Sequence, residues 1–485
     1  MTGVPSNIIL PYFGMDFDAS GASGGNVAMP FKALLIGQKT TSGTITANTL
    51  QQVFGTDQVD LFCAKNSMLS LMAKKWFAQT KVVDTFIIAL ADAGTGTAAT
   101  RVITFTGPAT ARGQIALEHN GQRIVVAVAD GDTATNIGDA FVAELANYNV
   151  GFTAVNSSGE VTCTAVNKGV AGGESLGDMR YNTEPTDQLP TGVGVSIAAV
   201  TPGTNDPDIQ DAIDAIGDNK FNVIVNPYAD DTNLDLLETY LETQFLASYM
   251  RDGLCYQAMR GDVSTQTTFS TGANRNCPHA VLIDCQNRRC ATWELAAAYA
   301  GAVAASAQDD PGNPLHRIKL QGIKPNLSSE RWLFTERNTL ARNGIATLTD
   351  ENGVQTESTV TMYLKNSAGA VDTAYQYQNT LFIGGYARWD FVNTINTKYP
   401  RARLADSALG FDPGIAVMTP AIGKMEAVSW FSKMQRKGLF EDIEQFKEEL
   451  VVQRSEDNVN RLEWLVSPNF VNQFIVGSGV IAFRL

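Results

Sequence analysis

The sequence predicts a multidomain protein of mixed α/β and α+β class. Three observations predict it. Buried-strand patterns alternate with helical patterns in two separate parts of the chain, and a stretch rich in Thr, Val and Gly lies between those parts. Both ends of the chain carry apolar, strand-like runs beside Gly/Ser tethers. Strands that alternate with helices indicate a parallel or mixed sheet, and a chain of 485 residues can build several hydrophobic cores.

These changes of pattern divide the chain into an arm, a discontinuous core, an insertion, a C-terminal domain and a second arm. We expect an α/β core with an inserted mostly β domain, followed by a C-terminal α+β domain. The predicted segments are the N-terminal arm 1–25, the core 26–95 and 204–399, the inserted domain 96–203, the C-terminal domain 400–469 and the C-terminal strand arm 470–485.

The core is predicted from apolar runs of two kinds. Short apolar runs bounded by turn residues predict buried strands, and longer segments with apolar residues at helical spacing predict helices. The predicted strands are Ala33–Gly37, Val82–Leu90, Phe221–Val225 and Ala280–Asp284, and the predicted helices are Leu61–Phe77, Ile209–Ile216, Leu234–Tyr249 and Thr292–Ala307.

The inserted domain is predicted from alternating residues such as Val102–Thr106 and Gln122–Val128. One helix, 133–148, interrupts its strands, and Thr133 is suited to be the N-cap of that helix. The segment Thr201–Pro207 is dense in turn residues and marks the exit from the insertion.

The C-terminal domain is predicted to contain helices Pro420–Lys437 and Glu441–Leu450. The first carries Lys424, Lys433, Arg436 and Lys437 in an otherwise acidic protein. Offsets of 9, 12 and 13 residues from Lys424 are expected to keep the four cations within about half of the helix circumference. The residues alone leave two interpretations open, a solvated face whose cations favour the helix C-terminus and a docking face for an acidic partner.

Both ends of the chain offer a strand without the charge or cover that usually protects such an edge. The apolar residues of the two arms are Ile8, Ile9, Leu10, Tyr12, Phe13 and Phe17 at the start, and Phe474, Val476, Val480, Ile481, Phe483 and Leu485 at the end. A strand added to a neighbour's sheet gains main-chain hydrogen bonds, and a chain that both donates and accepts strands forms rings or open helices. The arms therefore predict a subunit of an assembly.

Composition argues against several other functions. A formal net charge of −14 disfavours binding to a nucleic-acid backbone. The chain has no apolar run of about 18 residues and no secretory leader, so we expect neither membrane insertion nor secretion. The six scattered cysteines are typical of reduced thiols in a cytosol. Nucleophile, phosphate-binding and metalloprotease motifs are absent, so the sequence predicts no enzyme and no cofactor.

One group of residues has the chemistry of a zinc site, namely Cys277, His279, Cys285 and Cys290. The predicted strand between His279 and Cys285 would hold them roughly 20 Å apart, at about 3.3 Å per residue. Ligands of one zinc ion lie about 2.0–2.3 Å from it. We therefore interpret these residues as buried structural groups and predict no metal.

The chain resembles the contractile tail sheath proteins of tailed bacteriophages, in their Mu-like branch. The resemblance is carried by "AGAVAASAQDDPGNPLHRIKLQGI", "KYPRARLADSALGFDPGIAVMTP" and "GLFEDIEQFKEELVVQRSEDNVNRLEWLVSPNFVNQFIVGSGVIAFRL", and it extends over essentially the whole chain. It implies a structural subunit that stacks in rings on a helical lattice around a tail tube. Such a sheath contracts from a metastable extended state and drives the tube through the host envelope.

The resemblance also implies partners and places. It implies homo-oligomers, a tail tube protein, and baseplate and tail terminator proteins, in a virion assembled in the host cytoplasm. It implies that both arms are donated to neighbours and that helix Pro420–Lys437 faces the tube, which favours the docking interpretation of its cations. Two alternatives stay open: the sheath of a related injection system of bacteriocin or secretion type, and an α/β enzyme with a capping β domain.

Overall fold

The computed structural model describes residues 29–272, 275–407, 410–412 and 414–484. The chain divides into two compact units, 1–30 and 31–485, and the description below concerns the second. The N-terminal arm residues Ile8, Ile9, Leu10, Tyr12, Phe13 and Phe17 lie outside the described residues, as does Leu485.

The first part of the core and the insertion follow one another along the chain. The core begins with β1 (Lys32–Gln38), β2 (Leu50–Val53), α1 (Thr56–Cys63), α2 (Met68–Gln79) and β3 (Asp84–Leu90). The insertion contains β4 (Thr100–Thr106), β5 (Gly113–His119), β6 (Gln122–Val128), α3 (Ala134–Glu144), β7 (Phe152–Ser157), β8 (Glu160–Ala165), α4 (Val170–Gly173), β9 (Met179–Tyr181) and β10 (Gly194–Ile197).

The core then resumes and continues to a long helix. Its elements are α5 (Gln210–Ile216), β11 (Val223–Val225), α6 (Asp231–Phe245), β12 (Leu254–Met259), α7 (Val263–Ser270), β13 (Ala280–Asp284), α8 (Thr292–Asp309), α9 (Phe334–Arg342), β14 (Ile345–Ala346), β15 (Leu348–Thr349), β16 (Gln355–Thr356) and α10 (Gln378–Lys398).

A seven-stranded sheet organises the core in the order β14-β13-β12-β11-β1-β3-β2. All neighbours are parallel except β2, which pairs antiparallel with β3 at the edge. Every residue of β11 and of β13 is buried, so both faces of the sheet are covered, as parallel sheets require. Helices α2 and α8 pack on each other and on the central strands, whereas α5 and α6 contact β3 and β12.

One predicted helix of the core was wrong in its extent. The segment Leu61–Phe77 is not one helix, because the chain breaks between α1 and α2. Ala64 and Asn66 adopt left-handed backbone angles there, with φ of 70° and 69°. Ser67 then accepts a hydrogen bond from the Ser70 amide and starts α2 as its N-cap.

The insertion builds its own hydrophobic cluster around two antiparallel sheets, β10-β4-β8-β7 and β6-β5-β9. Helix α3 packs against both, and its Phe141 and Ile137 are fully buried. Thr133 is the N-cap of α3, as predicted, since its side chain accepts from the Asn136 amide. The domain boundaries drawn from the sequence stay a prediction.

The C-terminal part is a small α+β unit. It contains β17 (Arg403–Leu404), β18 (Val417–Met418), α11 (Pro420–Arg436), β19 (Phe440–Glu441), α12 (Ile443–Glu449), β20 (Val451–Arg454), β21 (Leu462–Leu465) and β22 (Asn469–Phe470). Its strands form two-stranded sheets only: β17 with β18, β19 with β22, and β20 with β21. Helix α10 joins this unit to the core, because Phe382 belongs to the core cluster and Ile383 to the C-terminal cluster.

Candidate assembly surfaces of the C-terminal domain

An aromatic cluster fixes the root of the C-terminal arm. Phe440 is buried, and its ring stacks on Phe470 with centroids 5.4 Å apart and planes 7° apart. Trp430 and Phe431 of α11 place their rings 5.2 Å from Phe440. Strands β19 and β22 pair antiparallel at these residues. The chain is therefore held firmly as far as Phe470.

Two further contacts extend the anchor by a few residues. The Val471 amide donates to the Leu439 carbonyl at 3.0 Å. Gln473 Nε2 donates to the Gly312 carbonyl of the core, also at 3.0 Å. Ile475 is 44% exposed and borders a groove of about 550 Å³ beside α9. Val476 borders the same groove, and no residue after it does so among the described residues.

The arm beyond this anchor is extended, apolar and uncovered. The strands predicted for 470–476 and 480–485 do not form within the described part of one chain, which has no strand after Phe470. A strand needs a partner for its backbone amides and carbonyls, and the segment after Val471 has no backbone–backbone partner among the described residues. The exposed fractions of the predicted arm residues are 81% for Phe474, 82% for Val476, 95% for Val480, 93% for Ile481 and 79% for Phe483.

Hairpin β20–β21 presents open strand edges in the same domain. Within the part of the chain that the structure describes, its two strands pair only with each other, from Val451 opposite Leu465 to Arg454 opposite Leu462. Val451 is 45% exposed and Leu465 is 61% exposed. A two-stranded hairpin is marginally stable alone, and its free edges are templates for another strand.

Helix α11 lies beside the hairpin and has one buried and one open side. Thr419 caps it by accepting from the Ile422 amide, and Pro420 occupies the first turn, where its missing N–H costs nothing. Ala427, Phe431 and Met434 are fully buried against the aromatic cluster. The opposite side carries Met425, which is 65% exposed.

The four cations of α11 do not share one face, so the expected common half of the helix was wrong. At about 100° per residue, an offset of nine places Lys433 on the opposite side from Lys424. Lys433 Nζ binds Asp390 Oδ1 of α10 at 2.8 Å, and Lys437 Nζ contacts the Tyr386 hydroxyl at 2.5 Å.

The other two cations are open to solvent. Lys424 and Arg436 are exposed and have no hydrogen-bond or ion-pair partner within the described residues. Arg436 lies on the same open side of α11 as Met425, since an offset of 11 residues is about 20°, whereas Lys424 lies about 100° from Met425. The tube-facing role of this helix stays a prediction.

The residues considered for zinc are separated by the predicted strand, which the structure contains as β13. Burial lowers the pKa of His279 to about 4 and raises the pKa of Cys277 and Cys285 well above its ordinary value, so these groups are neutral. Within 29–272, 275–407, 410–412 and 414–484, no cluster of three His, Cys, Asp or Glu side chains has the arrangement of a metal site. Over the same ranges, no helix has the length and hydropathy needed to span a membrane.

Comparison with known proteins shows the family of the chain. The family model of the phage tail sheath protein central domain matches residues 203–362, and that of the phage tail sheath C-terminal domain matches residues 370–477. The chain is 32% identical over 485 residues to the Mu-like prophage FluMu tail sheath protein of Haemophilus influenzae, with 99% of each chain covered. The chain belongs to the phage tail sheath family. It is a structural subunit of a contractile tail sheath, a component of a Mu-like virion tail.

Solved structures extend the likeness of fold. The sheath tail protein Lin1278 from Listeria innocua is similar with a TM-score of 0.50 and 12% identity, over 92% of this chain and 93% of that one. The contracted helical sheath of the anti-feeding prophage has a TM-score of 0.50 at 10% identity, over 98% and 99% of the two chains. These similarities confirm the mixed α/β multidomain fold.

Proposed function

We propose that the chain polymerises on a helical lattice around a tail tube and that its C-terminal arm joins the sheet of a neighbouring subunit. The observation that carries this proposal is that one domain has both an uncovered arm and an open sheet edge. Val480, Ile481 and Phe483 are at least 79% exposed, and hairpin β20–β21 has no third strand among the described residues. Adding the arm as a strand to this hairpin would pair the backbone amides and carbonyls of the arm and of the hairpin edge, and it would bury the exposed apolar side chains of the arm.

The N-terminal arm is proposed to be donated in the same way. Arms at both ends would link each subunit to more than one neighbour, so the lattice stays connected while the bodies rotate. Gly477 and Gly479 flank Ser478 directly before the exposed arm, where a flexible tether allows that rotation. Two helical packings of one subunit then provide an extended state and a contracted state of lower free energy.

Helix α11 is proposed to face the tube through Lys424, Met425 and Arg436. The two cations have no partner among the described residues, so they are available to pair with acidic groups of a tube protein. Baseplate and tail terminator proteins are proposed as the partners at the two ends of the sheath, and the host cytoplasm as the place of assembly. We propose that the chain has no catalytic activity, no cofactor and no direct contact with nucleic acid.

Truncation of the arm tests strand donation. Deleting Val480–Leu485 is expected to leave a folded subunit, because the described residues of this segment are exposed. It is expected to abolish tubes in negative-stain electron microscopy across a concentration series. Tubes of normal number and length from the truncated chain would overturn donation of this arm, although the chain would still belong to the sheath family.

A point substitution separates backbone pairing from apolar contact. Ile481→Pro removes one amide donor and blocks strand pairing in the middle of the arm, whereas Ile481→Val keeps the backbone free to pair. Because Ile481 is 93% exposed, both variants should unfold like the native subunit. We expect tubes from the valine variant and none from the proline variant. Equal assembly of the two would exclude a β-paired arm.

A further inference from the structure

The insertion is joined to the core by a narrow paired stalk. The chain enters through Thr97 and leaves through Thr204, and each of these residues donates its amide to the carbonyl of the other, at 3.2 and 3.3 Å. Thr100 and Thr201 form the same double hydrogen bond, at 3.0 and 2.8 Å. Gly94, Gly96 and Gly203 lie within or beside this stalk. A stalk of two strands can twist, so it does not by itself fix the orientation of the insertion.

A buried ion pair holds the insertion against the core at another place. Glu118 lies one residue before the end of β5 and accepts two hydrogen bonds from the guanidinium of Arg289, which follows β13 of the core. Their side chains are 3% and 7% exposed. Lys324 of the core adds a third charge, with Nζ 3.7 Å from Glu118 Oε2. Both charges of the pair are therefore largely removed from solvent.

Two more ion pairs cross the same boundary at its rim. Arg180 of β9 binds Glu330 of the core at 2.7 Å, with both side chains partly exposed. Arg260 of the core binds Glu174 of the insertion at 2.7 Å and donates to the carbonyls of Cys285 and Arg288. The centre of the contact is thus more buried than its edges.

The insertion also fills the carboxyl edge of the parallel sheet. Asn167 accepts from the Met68 amide and donates to the Lys39 carbonyl and to Asp92, at 2.8, 3.0 and 3.0 Å. Gln38, at the end of β1, donates to the Lys168 carbonyl at 2.9 Å. Trp293 of α8 donates to the Ala171 carbonyl at 3.0 Å. This edge is where open α/β sheets usually bind ligands, and here the chain's own insertion occupies it.

We infer that Glu118 and Arg289 form a latch that holds the insertion in a fixed orientation on the core. The insertion and the core then move as one body, although the narrow stalk is their only covalent connection. The reason is that an intact buried ion pair contributes little net free energy, whereas a buried charge that has lost its partner is strongly destabilising. Separating the insertion from the core at this point would leave both charges without their partners. Under the proposed sheath function, on which this consequence rests, the latch would make the insertion turn with the core when the sheath contracts.

Hydrogen exchange on the unassembled subunit tests the latch. Glu118→Ala is expected to speed amide exchange about 100-fold or more in segments 114–122 and 285–291, since it leaves Arg289 buried and unpaired. Exchange in α3, inside the insertion, should stay unchanged because the insertion keeps its own core. Glu330→Gln breaks a rim pair in the same contact and should change exchange less than about 5-fold.

A double variant distinguishes the loss of the ion pair from a general destabilisation of the insertion. Glu118→Leu with Arg289→Met removes both charges and is expected to bring exchange in the two segments back to within about 5-fold of the native chain. Unchanged exchange in Glu118→Ala would overturn the latch. Faster exchange in α3 as well would also overturn it, because Glu118 would then support the fold of the insertion.

The native chain gives a test that needs no variant. In low concentrations of urea, segments 114–122 and 285–291 should open together, with the same denaturant dependence, before the core sheet opens. Independent opening of the two segments would contradict a single latch. This result does not depend on whether the chain forms a sheath.

Discussion

Replacing Phe440 with alanine is expected to loosen the C-terminal arm at its root. Phe440 is 1% exposed and contacts the rings of Phe470, Trp430 and Phe431 at centroid distances of 5.2–5.4 Å. Truncating such a ring removes its burial and leaves a cavity, which typically costs about 3–5 kcal/mol of unfolding free energy. We expect a value near about 4 kcal/mol, because helix α11 and the paired strands limit how far the cavity can collapse.

The assay is urea unfolding of the chain that lacks Val480–Leu485, so that polymerisation does not contribute. Tryptophan fluorescence reports the transition, and Trp430 lies directly beside the substituted ring. Phe474→Ala is the matched control, since the same ring is 81% exposed there and its loss should change the free energy by less than about 0.5 kcal/mol. Hydrogen exchange should also rise in the segment around β22.

A loss below about 1 kcal/mol for Phe440→Ala would contradict the reasoning. So would an equal loss for the exposed Phe474. In either case the aromatic cluster would not be what holds the root of the arm, and the pivot of the arm would lie upstream of Phe470.

Two further predictions concern charge. Reversing the two free cations, with Lys424→Glu and Arg436→Glu, should weaken assembly on a tube roughly 10-fold or more at low salt and less at high salt, while the unfolding free energy stays unchanged. Lys433→Glu is the control, because it places a second negative charge beside Asp390 and should lower stability. Unchanged tube-templated assembly of the double variant would refute tube docking by α11. Burial raises the pKa of Glu238 to about 7 from 4.5, so stability should fall as pH rises from about 4.5 to about 7, because the unfolded chain releases its proton first. Glu238→Gln should remove that slope in urea midpoints measured across the range, and an unaltered slope would show that other groups cause it.

The sequence was sufficient for elements whose apolar pattern is regular and whose caps are local. Strand Ala280–Asp284 has the predicted bounds, and α8 starts at Thr292 as predicted. Thr133 was identified as an N-cap because a capping side chain acts within three residues. Helix α10 was not predicted, since it crosses between two cores and its apolar residues therefore face different ways.

The candidate surfaces were predictable in composition but not in geometry. The bare C-terminal arm could be predicted from its residues, because Arg484 is its only charged side chain and it contains no proline. The partners of Lys433 and Lys437 could not be predicted, because Asp390 and Tyr386 lie more than 40 residues away in sequence. The same holds for Glu118 and Arg289, 171 residues apart, whose pairing exists only once both domains have folded.

Helical reconstruction of assembled tubes by electron cryomicroscopy tests the central claim most directly. The account predicts a lattice in which residues 480–484 of each subunit form a strand against β20 or β21 of a neighbour. It would be contradicted if these residues folded back onto their own subunit, or remained unpaired, in well-ordered tubes.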